Sequence, residues 1–301
     1  MTLNKAGWVT SFMLGIALAF HPTLTHGVTI RDDQPDSGYL NLASQPEYSS
    51  VGLFVNDWGY TGSATLIAPD WILTAGHNLA AASSGTFTVN GTSYGSSQFI
   101  YHPNFQYGNW FAGYDVALVQ LATPVLDVSP AALYTGSSEI GEVGTFVGYG
   151  FTGTGLTGYS VLDNLKRAFQ NVIDGNFGNP SLVLGADFDN PHTTADNGFG
   201  SPVPLTLEGC VANGDSGGGV FITFGQQTYL AGVISFVANA DGTPNADYGD
   251  ASGFGRVSTL TPWILSVVPE PSSFTLLAGA GVALLMQQRF RRASGGRPDR
   301  R

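Results

Sequence analysis

No histidine follows Ser216 in this chain, and that order constrains the fold more than any other feature. Ser216 lies in Gly214-Asp215-Ser216-Gly217-Gly218, which satisfies the Gly-x-Ser-x-Gly pattern of a strand-to-helix elbow. In the α/β-hydrolase architecture built on that elbow, the acid and the histidine come after the serine. Here that architecture would have no base. Both partners lie upstream instead, in Leu73-Thr74-Ala75-Gly76-His77 and in Tyr114-Asp115-Val116-Ala117-Leu118. A serine hydroxyl needs an imidazole to take its proton and a carboxylate to hold that imidazole in the right tautomer. The chain offers His77, Asp115 and Ser216 for these roles, in that order. A glycine-rich serine loop alone is more often only a turn, because glycine serves wherever φ must be positive. The two companion motifs set this loop apart.

The rest of the chain reads as all-β. Its 41 glycines and 11% charged residues accompany many short apolar runs bounded by Gly, Asn, Asp, Ser and Pro, the pattern of short strands between turns. The runs predict strands over 51–55, 64–67, 71–75, 86–89, 116–121, 145–148, 220–224 and 229–236. Such spacing suits a barrel or a sandwich. Segment 161–173 has some helical periodicity but is assigned mostly to strand in this setting, and 261–267 begins a closing helix. No internal repeat is present.

Taken together, the Thr-Ala-x-His, Asp-Val-Ala-Leu and Gly-Asp-Ser-Gly-Gly segments resemble the chymotrypsin/trypsin family of serine endopeptidases. Tyr101-His102-Pro103-Asn104-Phe105, Gly148-Tyr149-Gly150 and Trp263-Ile264 extend the resemblance over residues 51–267. It implies two six-stranded antiparallel barrels with a short C-terminal helix, His77 and Asp115 on the first barrel, Ser216 on the second, and the site between them. His77 would act as general base and then general acid toward the leaving amine, with Asp115 orienting it and the reaction passing through an acyl-enzyme. The N–H groups of Gly214 and Ser216 would form the oxyanion hole, and no cofactor or metal is required. Asp215 holds the position that, in the family, receives the freed α-amino group of an aliphatic N-terminal residue. Val28 is the expected donor if cleavage follows Gly27, the alternative being a propeptide ending near Arg31 or further on.

Cys210 stands six residues before Ser216, where trypsin-like members carry Asp, so specificity for Lys or Arg is not expected. Ser235-Phe236-Val237 matches the family's Ser-Trp-Gly wall, with Val237 narrowing the primary pocket. Cys210, Ser235 and Val237 therefore predict a preference for small or aliphatic residues. Asn78 stands directly after His77, where eukaryotic relatives usually carry a cysteine. Cys210 is the sole cysteine, so no intramolecular disulfide can form and the fold rests on its core. His102 and His192 lack triad context and are assigned structural roles.

Both ends read as export signals. Lys5 followed by the apolar run 6–20 and the small residues Thr25 and Gly27 has the layout of a signal peptide over 1–27, with Ala19 as the alternative cleavage point. Pro269-Glu270-Pro271, the uncharged run 274–286 and Arg289, Arg291 and Arg292 resemble the PEP-CTERM sorting tail of Gram-negative bacteria, over 269–301. Thirteen residues of helix at ~1.5 Å each reach about 20 Å, short of a ~30 Å hydrocarbon core. The resemblance implies a transient inner-membrane stop, processing by signal peptidase and an exosortase, and release to the envelope or exterior. The arginines would stay cytoplasmic by the positive-inside rule.

Between these ends, residues 28–268 carry four basic and twenty acidic residues, a formal charge of −16. That balance disfavours nucleic acid and anionic membrane surfaces as partners and leaves protein or peptide substrates. The acidic stretches Asp187-Phe188-Asp189-Asn190 and 241–250 have oxygen ligands for Ca²⁺ but not EF-hand spacing, and are assigned to solvated loops. The competing function class is a binding or matrix protein on the same fold, whose mark would be a lost triad residue or oxyanion glycine. None is lost here.

Overall fold

A computed structural model describes residues 28–239 and 241–268. The expected signal peptide, sorting tail and transient anchor lie outside the described residues. Among the described residues no helix is long and apolar enough to cross a membrane.

The first half is a closed six-stranded barrel. Val51–Asn56, Thr61–Ala68, Trp71–Thr74, Ala117–Leu121, Thr92–Tyr101 and Gly85–Val89 pair in that order, the last returning to the first. Phe54, Leu66, Ile72, Phe87 and Val119 fill its interior. The second half is a seven-stranded sheet forming a half-barrel, ordered Arg167–Val172, Val143–Gly148, Gly219–Phe224, Gln227–Ala238, Ala251–Arg256, Val183–Asp187 and Gly175–Asn176. The stacked rings of Phe146 and Phe169, 4.7 Å apart, centre its core. A third cluster joins the halves, setting Val51 and Leu73 with Val147 and Phe221 under the closing helix Val257–Val267. That helix starts four residues before the sequence suggests.

The 161–173 segment is strand on both sides of a break, Gly158–Leu162 and Arg167–Val172. Asn164 in the break has φ 58°, a left-handed conformation that ends a strand.

A four-stranded sheet matters most for the site. Val28–Ile30 lies parallel to Phe151–Thr154 and antiparallel to Gly209–Cys210, so the start of the described chain is locked beside the segment leading to Ser216. Helix Asp36–Ala43 follows. Its Tyr39 is fully buried, and the hydroxyl donates to the Glu208 carbonyl at 2.9 Å.

Candidate active site

Strand Trp71–Thr74 ends in a tight turn, Gly76–Leu79, that swings His77 out of the first barrel. Gly76 is required there, because a Cβ would come 2.7 Å from the Phe105 ring. Asp115 sits just before the paired strand Ala117–Leu121 and is 6% exposed. Its Oδ1 accepts from the His77 backbone N–H at 2.9 Å, and its Oδ2 lies 2.7 Å from His77 Nδ1. Ser235 Oγ donates to the same Oδ2 at 2.6 Å. A carboxylate is an acceptor only, so Nδ1–H is the donor of this pair, and in the neutral ring that tautomer leaves Nε2 as the acceptor.

Ser216 comes from the second half. It follows Gly214, whose φ of 92° only glycine adopts without strain, and precedes Gly217 at φ 84°. Its Oγ lies 3.4 Å from the Ser235 carbonyl. Ser216, His77, Ser235, Phe236 and Val237 line one cleft of about 320 Å³, and Trp110 and Tyr60 meet the His77 ring edge-on at 5.1 and 6.5 Å.

The loop around Ser216 is held from several sides. Asp215, Gly217 and Gly218 donate their N–H groups to the carbonyls of Ala212, Ile234 and Asp215. Those of Gly214 and Ser216 donate to no protein acceptor among the described residues. The Ser216 carbonyl accepts from Ser63 N at 2.9 Å and from Asn78 Nδ2 at 2.7 Å. Ser63 Oγ donates to the Gly214 carbonyl at 3.0 Å and accepts from Tyr149 N at 2.9 Å. Sequence reasoning missed Ser63, and marked Asn78 only as standing where relatives carry cysteine.

Asp215 is fully buried, and its two oxygens accept from Gly150 N and Ala212 N, each at 2.8 Å. Burial pushes its carboxyl up to about 7. Val28 lies nearby in the chain trace: it pairs with Thr152, two residues beyond Gly150, and its carbonyl accepts from Thr152 Oγ1 at 2.6 Å. Val28 is 1% exposed with φ 53°, an unusual conformation for a β-branched residue.

Cys210 is not brought to the cleft with Ser235 and Val237. It is completely buried behind it, accepting a 3.4 Å contact from Ser252 Oγ, and burial raises its thiol well above the ordinary range. His102 stacks on Tyr114 at 4.7 Å and meets Trp263 edge-on, with burial lowering its pKa. The His192 ring rests on Asp32, its Nε2 3.0 Å from Oδ1. Neither touches the cleft.

The Asp187–Asp189 stretch is buried rather than solvated. Asp187, Asp189 and Glu208 are each 3% exposed or less, and burial raises Asp189 to about 7 and Glu208 to about 8. Backbone N–H groups point at several of these oxygens, from Asp189 and Leu205 to Glu208 and from Gly198 and Phe199 to Asp187. Among the described residues no three His, Cys, Asp or Glu side chains are arranged to hold a metal.

The trypsin family model matches residues 42–184 of the chain. Brachyurin of Leptuca pugilator is 30% identical over 225 residues, covering 71% of this chain and 90% of that protein. Chymotrypsin-like elastase family member 1 of Rattus norvegicus is 29% identical over 233 residues, covering 70% and 80%. Serine protease SSP1 of Scolopendra subspinipes is 27% identical over 285 residues, covering 87% and 93%.

Proposed function

The chain belongs to the trypsin family of serine-type endopeptidases, and from that premise we propose that Ser216, His77 and Asp115 are its catalytic residues. The observation that carries this reading is the Nδ1 to Oδ2 distance of 2.7 Å between His77 and Asp115, with Ser216 on the wall of the same cleft. His77 Nε2 takes the Ser216 Oγ proton as the oxygen attacks the peptide carbonyl carbon. The same proton passes to the leaving amine, and the acyl-enzyme is then released by water that His77 deprotonates in turn. Asp115 keeps the imidazole oriented and stabilises its charged form. The unengaged N–H groups of Gly214 and Ser216 are the donors for the developing oxyanion, where one lost donor typically costs about 10²–10³ in rate.

Val237, on the cleft wall where the family carries glycine, supports a preference for small or aliphatic side chains on the acyl side of the cut bond. Cleavage after Gly27 would free the Val28 amine to pair with Asp215. What supports this route is the buried Val28 strand beside the segment that holds Asp215, and a buried carboxyl that accepts from backbone N–H groups alone. Export through residues 1–27 and 269–301, by signal peptidase and an exosortase, completes the reading.

The test is intact mass of the secreted enzyme after incubation with a fluorophosphonate, beside Ser216→Ala. One adduct per wild-type chain and none on the variant is the expected result. A folded, correctly processed chain that takes up no reagent would overturn the catalytic reading and leave a binding protein on a protease fold.

A further inference from the structure

Four basic side chains serve the whole of residues 28–268, and three of them are matched to carboxylates. Arg31 pairs with Asp33 at 2.6 Å, Arg167 with Asp36 at 2.7 Å, and Arg256 Nε with Glu139 at 2.9 Å. Lys166 is the exception. Its Nζ donates to the Tyr48 carbonyl, and no carboxylate among the described residues lies within ion-pair distance of it. An ammonium has three hydrogens to place, and a cation withdrawn from water is costly unless they find partners.

The same lysine borders an open volume. Lys166 lines a recess of about 440 Å³ between the two halves of the molecule, which shares no lining residue with the catalytic cleft. The same recess is lined by Asp127 of the first half, at its rim with Asn90 and Gly91. These two residues have φ of 48° and 74° and form the tight hairpin turn between Gly85–Val89 and Thr92–Tyr101. Asn90 Nδ2 donates to Asp127 at 2.8 Å, which fixes the carboxylate on the rim without using its charge. The recess thus is lined by one basic and one acidic residue that form no ion pair with each other, together with Tyr149, Ser44 and Ser49.

We propose that this recess binds a small zwitterion of the α-amino acid type, its carboxylate on Lys166 and its ammonium on Asp127. A simple anion fits less well, because Asp127 and the −16 charge of the surrounding domain oppose it. A simple cation meets Lys166. A molecule with both charges satisfies both walls and carries no net charge into the field. The site lies close to the oxyanion loop: Tyr149 on its wall donates its N–H to Ser63 Oγ, which in turn bonds the Gly214 carbonyl.

Lys166 is the only lysine in residues 28–268, so the secreted enzyme labelled with ¹³C-lysine gives one side-chain Cε resonance. Glycine, acetate and methylammonium are titrated at constant ionic strength while that resonance is followed. Glycine is expected to move it saturably with a midpoint of about 1–10 mM, a weak small-ligand affinity, and acetate to bind at least about tenfold more weakly. Asp127→Asn, at an exposed rim position with its fold checked by thermal unfolding, is expected to erase the advantage of glycine over acetate. A resonance that glycine leaves unmoved overturns the proposal. So do equal shifts from all three solutes, or a variant that binds glycine as the wild type does.

Discussion

Asn78 Nδ2 donates to the Ser216 carbonyl across 2.7 Å, so the residue after the candidate base grips the candidate nucleophile's own backbone. The same nitrogen reaches Thr74 Oγ1 at 3.0 Å, and the side chain is fully buried. Gly62 makes room for it, since a Cβ there would come 2.5 Å from that nitrogen. A buried carboxamide thus stands at the position where eukaryotic relatives usually carry a cysteine. Replacing Asn78 by Asp, nearly equal in shape, sets a carboxylate against the acceptors that Nδ2 now serves. The expected loss is about 2–3 kcal/mol of stability, the usual cost of an unsatisfied buried polar group, together with a fall in kcat exceeding any change in KM. Denaturant unfolding and steady-state kinetics check this, and unchanged stability would remove Asn78 from the account.

The three candidate catalytic residues could be singled out because their motifs are local: each is a few consecutive residues, and chain order alone argued against the elbow fold. The predicted strands were found where side chains alternate or run apolar, as at Val51–Asn56 and Gly219–Phe224. Thr92–Tyr101 escaped because Ser96 stands among its more buried positions and a register shift between Ser96 and Gln98 breaks the alternation. Ala251–Arg256 escaped for the opposite reason. Its glycines look like turn residues, yet Gly253 is bare because the Phe236 ring from the next strand covers it, where a Cβ would come within 2.3 Å. Ser63 could not have been found, since its role depends on Gly214 and Tyr149, both remote in sequence. Ser235 was read as a pocket wall, and its 2.6 Å bond to Asp115 emerges only when the two halves meet.

The buried acids set an unusual pH dependence. Asp189 is raised to about 7 and Glu208 to about 8, burial being the first cause of each and neighbouring carboxylates adding to it. Unfolded carboxyls titrate near ~4, so between pH ~4 and ~8 the folded chain holds more protons than the unfolded one. Stability then falls as pH rises through that window. Asp189→Asn removes one such proton and leaves its buried, unpartnered Oδ1 position in place. The variant is expected to show a flatter slope and to gain on the order of 1 kcal/mol at pH 8, a single unit of pKa shift being worth about 1.4 kcal/mol. Thermal unfolding from pH 4.5 to 8.5 reads both, and a wild type that grows more stable up to pH 8 contradicts it.

Val237 is the side chain to change for specificity. It lines the cleft beside Ser216 and ends the wall formed by Ser235 and Phe236. Val237→Gly removes that isopropyl group and opens the cleft without touching Ser216, His77 or Asp115. The ratio of kcat/KM for Phe over Ala substrates is expected to rise about 10-fold or more, since a few methylenes of pocket contact are worth 1–3 kcal/mol. A ratio that stays put would assign the selection to another wall.

The proposed pairing of a freed Val28 with Asp215 predicts a link between processing and stability. With Val28 still joined to Gly27 the carboxyl accepts from two backbone N–H groups, and burial raises it to about 7. The uncleaved chain therefore loses stability as pH rises from ~4 to ~7, because the folded state must give up a proton it holds more tightly than the unfolded one. A free Val28 ammonium reverses the sign: the carboxyl falls below its unfolded value, and its charge becomes stabilising above that value. The gap between cleaved and uncleaved chains is expected to be smallest at the acid end, below pH ~4, and to widen as pH rises. At pH 7 and above, where an unpaired carboxylate would be buried in one and paired in the other, they should separate by about 3 kcal/mol or more. Denaturant unfolding of the secreted enzyme and of a chain blocked at residue 27 measures the gap. Parallel pH curves for the two would show that Val28 does not pair with Asp215, and N-terminal sequencing would then locate the residue that does.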